Sequence, residues 1–544
     1  FETRMAVTNR TPNKHNFLWW ENAAVPVDES YEIFFPEDVN YVHFHYKRSV
    51  TTFPIANNDR FGAFNGIYYD GDTDISKHKN TRQATSYFSA SSKYDYFGGY
   101  NNSKHAGVVH IADHHISPGK KMFTWAYSQL AKTWENALTG NDGQYAELMA
   151  GCYSDNQPDL TWLMPYETKT FSQKWFPIHD AGIPSFANDN GALFIGDDGE
   201  LSLQSVKAYS GATLKVCDGE NVVCEKSIDI PTYELISLGK ILVKYGVSIE
   251  IKAEGRRIFF YEIKEKEARE IPEPRKEYPN HKSVKTAEEL YRLGLHVEQF
   301  RSPEYSAEQC YLEALERDTT YAPAMVALAE LYLKKLDYEG ALNYASSAER
   351  ILSAYNTRHE SGRAYYLKGL ALLALGRIDD GYDYLYKSAW SYDYKSAAML
   401  HLGLIDIRRC DYKKAQEHLS ESLVTNSKSV IANAILAYAY HLDGNNAKYE
   451  ETIDKALATD RLNLHAYAVK AIDSFDAFVE LVDTDISEVI MDLAEVFAEA
   501  GLYGELARLT LAVSRSRKLA YMPTLMLSQL ANKDFASCEV GIAF

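Results

Sequence analysis

The sequence predicts a multidomain chain, all-β at the front and α-helical behind, with a small antiparallel β-sandwich between the two. Three observations carry that prediction. Up to about residue 182, short apolar and aromatic runs such as Tyr41-Val-His-Phe-His-Tyr46 and Ala106-Gly-Val-Val-His-Ile111 are broken by Gly, Pro, Asn and Asp, the punctuation of strands and turns. Over 190–262 the alternation of apolar and polar residues becomes strict, as in Leu201-Ser-Leu-Gln-Ser-Val206 and Val247-Ser-Ile-Glu-Ile251, which suits strands half-buried in a sandwich. From 286 to 544 the period turns helical, and small residues return at Gly369, Gly403 and Ala437, 34 positions apart.

At 544 residues the chain is too long for one hydrophobic core. Apolar residues make up 46 % and charged residues 24 %, ordinary for a globular protein, and no apolar run approaches the roughly 20 residues that span a bilayer. A formal charge of −18 repels phosphate backbones, so neither nucleic acid nor a membrane is expected as a partner. Six cysteines are scattered without C-x-x-C pairs, which reads as free thiols in a reducing cytoplasm. Cys217 and Cys224 flank a turn and could face each other across a hairpin. The first nine residues already read as a strand entering a turn, so the chain is expected to start inside a domain.

Residues 263–285 are crowded with Glu, Lys, Arg and three prolines, which forbid a continuous helix and leave little to bury. This stretch reads as a linker. Behind it, Gly369, Gly403 and Ala437 are followed twelve positions later by Gly381, Ala415 and Tyr449, and then by Leu385, Leu419 and Ile453. A small residue in the first helix of a pair lets the second helix approach, and that spacing repeats the pair along a solenoid. These residues resemble the tetratricopeptide repeat family, which implies an α-solenoid with a groove able to hold a protein or peptide. The proline that usually closes such a repeat is replaced by Thr319, Asp393, Ser427 and Arg461, which leaves the angles between repeats open. No polar capping helix ends the chain, so the C-terminus is also expected to be cut short.

Candidate chemistry gathers at 143–178, where Tyr145-Ala-Glu-Leu-Met149 puts a carboxylate in a strand, Pro158-Asp159 makes a loop, and Leu163-Met-Pro-Tyr-Glu167 turns into a last aromatic strand. That order resembles the end of the galactose mutarotase (aldose 1-epimerase) superfamily. The resemblance implies the second half of a β supersandwich, with Glu147 as the catalytic base that takes the anomeric hydroxyl proton. A carboxylate held between strands and partly desolvated has the basicity for that step. Upstream, Trp19, Trp20, Glu21 or Asn22 stands where the family has a proton-donating histidine. With Glu21 pointing inward, two carboxyls would face one sugar, an arrangement suited to glycosidic cleavage with Glu21 as acid and Glu147 as base or nucleophile. Trp19 and Trp20 read equally well as sugar-facing residues or as sandwich core.

The stretch Ala112-Asp-His-His-Ile-Ser-Pro-Gly-Lys-Lys-Met-Phe-Thr-Trp125 resembles a mutarotase loop whose Asp-His pair contacts sugar hydroxyls. That implies substrate contacts from Asp113, His114, Lys120 and Trp125. Between the two motifs Tyr68, Tyr69, Tyr87, Phe88, Tyr94, Tyr96, Phe97 and Tyr100 form either a stacking rim for pyranose rings or the core of a β-layer. His110, His114 and His115 lack zinc-site spacing, and Asp70, Asp72 and Asp74 are followed by Ile75 where a calcium loop needs glycine. No metal or cofactor is expected. The order of modules resembles bacterial proteins that join a mutarotase-like domain to tetratricopeptide repeats. The expected function is therefore the binding of a sugar or oligosaccharide, with glycosidase- or epimerase-like acid–base chemistry. The alternatives are a non-catalytic scaffold that uses the repeat groove and a sugar sensor.

Overall fold

The computed structural model describes residues 1–47, 49–56, 73–140, 142–157, 159–266, 269–481 and 487–515. They divide into two compact units. The first comprises Phe1–Met5, Phe17–Thr161 and Thr170–Tyr278; the second comprises Ala6–Asn16, Trp162–Lys169 and everything from Pro279.

The first unit is built of β-sheets. A five-stranded sheet runs in the order Glu2–Thr8, Thr168–His179, Ala106–Ile111, Tyr96–Asn101, Tyr31–Phe34. A six-stranded sheet runs Trp19–Pro26, Tyr145–Cys152, Gly119–Thr124, Thr85–Ser89, Tyr41–His43, Val50–Thr52. Because side chains alternate along a strand, each sheet sends every second residue to a shared core. Ile33, Phe97 and Trp175 come from the first sheet and Tyr87, Met122, Ala146, Leu148 and Ala150 from the second. The other face of the five-stranded sheet is apolar as well. Its Tyr96, Tyr100, Val109 and Ile178 pack with Ala187, Ala192 and Phe194, so the sheet is covered on both sides.

Those last residues open a smaller sandwich of two four-stranded sheets. One is formed by Phe186–Asn188, Gly191–Ile195, Glu200–Ser205 and Leu235–Lys240, the other by Asn221–Ile230, Tyr209–Asp218, Val247–Ala253 and Arg256–Glu262. Leu193, Leu203, Leu214, Ile249, Ile251 and Phe259 fill its centre. Cys217 and Cys224 lie on its paired long strands but are out of register, with Val216 opposite Cys224 and Cys217 opposite Val222, and both thiols are free. The prolines after 263 do prevent a helix, yet the segment is held down: Arg269 pairs with Asp38 at 2.7 Å, and the Arg275 amide donates to the Lys47 carbonyl at 2.8 Å.

The second unit is helical. Ala287–Gln299 pairs with Ala307–Arg317, Ala322–Lys334 with Tyr338–Leu352, Arg363–Ala374 with Ile378–Ser388, Tyr392–Arg408 with Tyr412–Thr425, and Val430–Leu442 with Asn446–Thr459. Four further helices run to Arg515. Caps mark the starts. Thr286 and Glu289 form a reciprocal capping box, and the side chains of Asp337, Asp411 and Asn445 each accept an amide of the first turn. The small positions do what their spacing requires. A Cβ on Gly369 would stand 3.0 Å from Leu385, and one on Gly403 would stand 2.6 Å from Leu419, so the paired helices touch at glycine. No helix of the described residues is long and apolar enough to cross a membrane.

That close approach makes a sharp expectation. Gly403→Val should lose about 1–3 kcal/mol of stability through overpacking, read as an earlier urea transition in helical circular dichroism. Gly504→Ala, at a helical glycine with nothing within 4 Å of the new methyl group, should be neutral or gain roughly 0.5 kcal/mol.

Candidate functional site

Strand register decides which of the expected residues can meet. Tyr145–Cys152 lies between Trp19–Pro26 and Gly119–Thr124, with Glu147 opposite Ala24 and Phe123, Met149 opposite Asn22 and Lys121, and Ala150 opposite Glu21 and Lys120. Residues directly opposite share a face. One face of the sheet therefore carries Trp20, Asn22, Lys121, Glu147 and Met149. The other carries Trp19, Glu21, Lys120, Met122 and Ala150 toward the core.

This parity corrects the expected pair of carboxylates. Glu21 points between the sheets, where it accepts the Thr3 hydroxyl at 3.0 Å; Glu147 points to the outer face, where it accepts Asn22 Nδ2 at 2.9 Å. The two cannot flank one glycosidic bond. Trp19 and Trp20 part in the same way. Trp19 turns inward toward Phe171, 6.1 Å between rings, while Trp20 lies outside against Phe88 at 5.5 Å.

Around Trp20 the outer face is built for an aromatic ring. A Cβ on Gly151 would fall 2.5 Å from the indole and one on Gly119 would fall 2.7 Å from it, so the ring rests on two adjacent glycines. Lys121 Nζ sits 4.8 Å above the Phe88 ring and 5.9 Å above Trp20, and donates to Gln157 Oε1 at 2.8 Å. Burial pushes the Lys121 amine down to about 8, against the attraction of Glu147. His45 Nε2 shares Gln157 Oε1 at 3.2 Å, and Lys47 reaches Asp155 at 3.1 Å and Asp159 at 2.7 Å. Burial, helped by Lys47, lowers His43 to about 4. Lys121, His43, His45 and Gln157 belong to no motif in the sequence. Only Lys121 left a signal there, as one of two consecutive lysines of which one must face outward.

The remaining expected contacts are dispersed. Tyr96 is 2 % exposed and its hydroxyl donates to the Ser185 carbonyl, so it is core and not a sugar rim; Tyr87, Phe88, Phe97 and Tyr100 are buried too. Residues 57–72, with Tyr68, Tyr69, Asp70 and Asp72, lie outside the described residues. Lys120 is 1 % exposed and faces the core, which removes it from the surface role expected of it. Its neighbourhood is polar: His110 and Gln173 share a hydrogen bond of 2.6 Å, and Gln173 Nε2 donates to Cys152 Sγ. Asp113 is exposed and bonded to His115, while His114 Nδ1 meets Asp95 at 2.8 Å. Trp125 stacks on Trp134 of the helix Gln129–Leu138 at 5.5 Å and donates to the Tyr145 hydroxyl, away from Trp20 along the strand.

A second candidate lies in the helical unit, where segments 6–16 and 162–169 run against the first helices of the repeats. Tyr366 donates to the Pro12 carbonyl at 3.0 Å, and Asn426 Nδ2 donates to the Tyr166 carbonyl at 2.7 Å. Asn16 returns the favour, donating to the Gln299 carbonyl at 2.7 Å. Lys14 stacks over Trp162 at 4.1 Å, close to a charged cluster in which Glu330 bonds Arg363 and lies 3.3 Å from Lys334. Burial alone would raise the Glu330 carboxyl; Arg363, Lys14 and Lys334 outweigh it and hold the group down at about 2.

A family model described as a domain of unknown function, DUF5107, matches residues 1–178. The front of the chain is a DUF5107 domain. Among solved structures, a TPR-domain containing protein from Parabacteroides distasonis is 15% identical, covers 94% of this chain and gives a TM-score of 0.27; the chain spans 64% of that protein's length. YrrB, described as a TPR protein with an unusual peptide-binding site, is 20% identical over 35% of this chain and 94% of its own, with a TM-score of 0.29. The APC/C tetramer Cut9–Hcn1 is 15% identical over 45% of this chain and 43% of that one, with a TM-score of 0.30.

Within the DUF5107 domain, the buried Lys120 supplies a test of the core. Burial pushes its amine from 10.5 to about 8, with Asp95 and Asp38 offsetting part of the cost, and its Nζ has no hydrogen-bond partner among the described residues. The folded amine thus loses its proton before the unfolded one. Its charge costs stability below pH 8, and the cost fades as pH rises from about 8 toward 10.5. Lys120→Met should gain about 2–3 kcal/mol at neutral pH and progressively less in alkali, measured by urea unfolding across that range. An equal gain throughout would assign the effect to packing.

Proposed function

We propose that this chain is a non-catalytic interaction protein whose helical repeats hold extended peptide by its backbone. The observation that carries this reading is the pair of side-chain donors, Tyr366 and Asn426, that take main-chain carbonyls of Pro12 and Tyr166. Carbonyls are common to every peptide, so such donors recognise extension, while the Glu298 and Glu330 carboxylates near Lys14 add a preference for a basic residue. An occupant on the same chain competes at an effective concentration of order millimolar. Loosening it should therefore reveal the face. A labelled peptide with the sequence of residues 6–16 should bind the Lys14→Glu chain about tenfold more tightly than the unaltered chain in fluorescence anisotropy. Adding Tyr366→Phe, which removes the donor to the Pro12 carbonyl, should reverse that gain. No binding by the Lys14→Glu chain would remove the peptide reading.

A second reading is favoured by the outer face of the six-stranded sheet. The mutarotase-like interpretation of the DUF5107 domain would have a sugar there, stacked on Trp20, with Asn22 as donor and Glu147 as acceptor, while Lys121 is buried and committed to Gln157. With Glu21 on the far face, Glu147 acts without a carboxylate partner, which suits a binder or an epimerase-like base better than a glycosidase. Titration with a panel of mono- and oligosaccharides should quench tryptophan fluorescence, and Trp20→Ala should abolish the change with a melting temperature close to that of the unaltered chain. Saccharide binding that survives both Trp20→Ala and Glu147→Gln would place the sugar elsewhere.

A further inference from the structure

The helical unit holds a partly open cavity of about 320 Å³, bordered at one edge by Pro12 and Asn13 of the segment 6–16. Its volume is at the lower end of the range for small-molecule sites. One wall is aliphatic, made by Leu333, Leu370, Leu373 and Ile405. The lining also carries Glu495, Glu499, His401 and Arg408. A cavity lined by both apolar and charged groups selects an amphipathic molecule, and the sign of the uncompensated charge selects its head group.

The charges do not cancel equally. Glu499 is hydrogen-bonded to His401 Nδ1, and nearby Asp492 is paired with Arg10 at 2.9 Å. Glu495 has neither a hydrogen bond nor an ion pair among the described residues, although its carboxylate opens into the cavity. Arg408 does not neutralise it. That side chain passes over Gly501, where a Cβ would stand 2.8 Å from Arg408 Cγ, and forms no ion pair with Glu495. The Glu495 side chain is exposed at the mouth of the cavity, and the partial desolvation there, followed by the like charge of Glu499, pushes its carboxyl above the usual carboxylate range.

We infer that this cavity binds a small organic cation, a primary ammonium on an aliphatic body, with the ammonium at Glu495 and the chain along Leu370 and Leu373. Binding would supply the missing counter-charge and bury the ligand's methylenes together. Calorimetric titration of the whole chain with hexylammonium, hexanol and hexanoate tests it. Hexylammonium should bind tightest, at one site, and Glu495→Gln should weaken it by about tenfold, to the level of hexanol. Ala374→Phe, which places a ring in the cavity from an exposed helix end, should abolish binding of all three without lowering the unfolding temperature. The inference is overturned by hexanoate or hexanol binding as tightly as hexylammonium, by an unchanged affinity in Glu495→Gln or Ala374→Phe, or by no binding of hexylammonium up to about 10 mM.

Discussion

The alternation of side chains along a pleated strand decides what the front unit can do. Consecutive residues leave opposite faces, so Trp19 and Trp20, Glu21 and Asn22, Lys120 and Lys121 are divided pairwise between the inter-sheet core and the outer face. That division places a buried amine beside His110 and Gln173 and an aromatic shelf with its own amine only one residue away. It also separates two carboxylates that lie close in the sheet. A one-residue slip would exchange these sets, but it would also send Ala146, Leu148 and Ala150 out of the core, and their burial holds the register in place.

The helical unit rests on a different constraint, that of size. In three pairs a glycine of the first helix meets a large residue of the second, Gly294 against Tyr311, Gly369 against Leu385 and Gly403 against Leu419, and this contact is local enough to repeat without help from the rest of the chain. Polar groups then discriminate among what can lie against the first helices. Glu330 is 2 % exposed and keeps its charge only because Arg363, Lys334 and Lys14 surround it. A buried cluster of this kind adds little net stability, but losing one member leaves a charge in low dielectric, at about 3–5 kcal/mol. Its value lies in fixing what sits beside it.

These two constraints explain which features could be read from the residues. The 34-residue return of Gly369, Gly403 and Ala437 was legible because both partners of each contact lie within one repeat, so spacing alone implies the packing against Leu385 and Leu419. The aromatic richness of 87–100 was legible as strand but not as face, since a tyrosine at a sheet surface and one between two layers obey the same alternation; Tyr96 went to the core because a second sandwich covers its sheet. Segment 6–16 was least legible. Its partners lie at 298–299, 366 and 492, and no local period reports a contact over such separations.

That long-range arrangement has a physical logic of its own. An irregular segment must satisfy its main-chain carbonyls with something, and a helix face offers only side chains, since its backbone donors are spent within the helix. Tyr366 and Asn426 provide those donors, and Asn9 bonds Asn13 and Met164 to hold the two segments to each other. Recognition through carbonyls tolerates changes in the bound sequence, whereas Lys14, stacked on Trp162 and pushed down to about 8 mainly by burial, is the residue whose replacement the surrounding charges would register. The face therefore combines a general grip on extended backbone with one position at which charge is read.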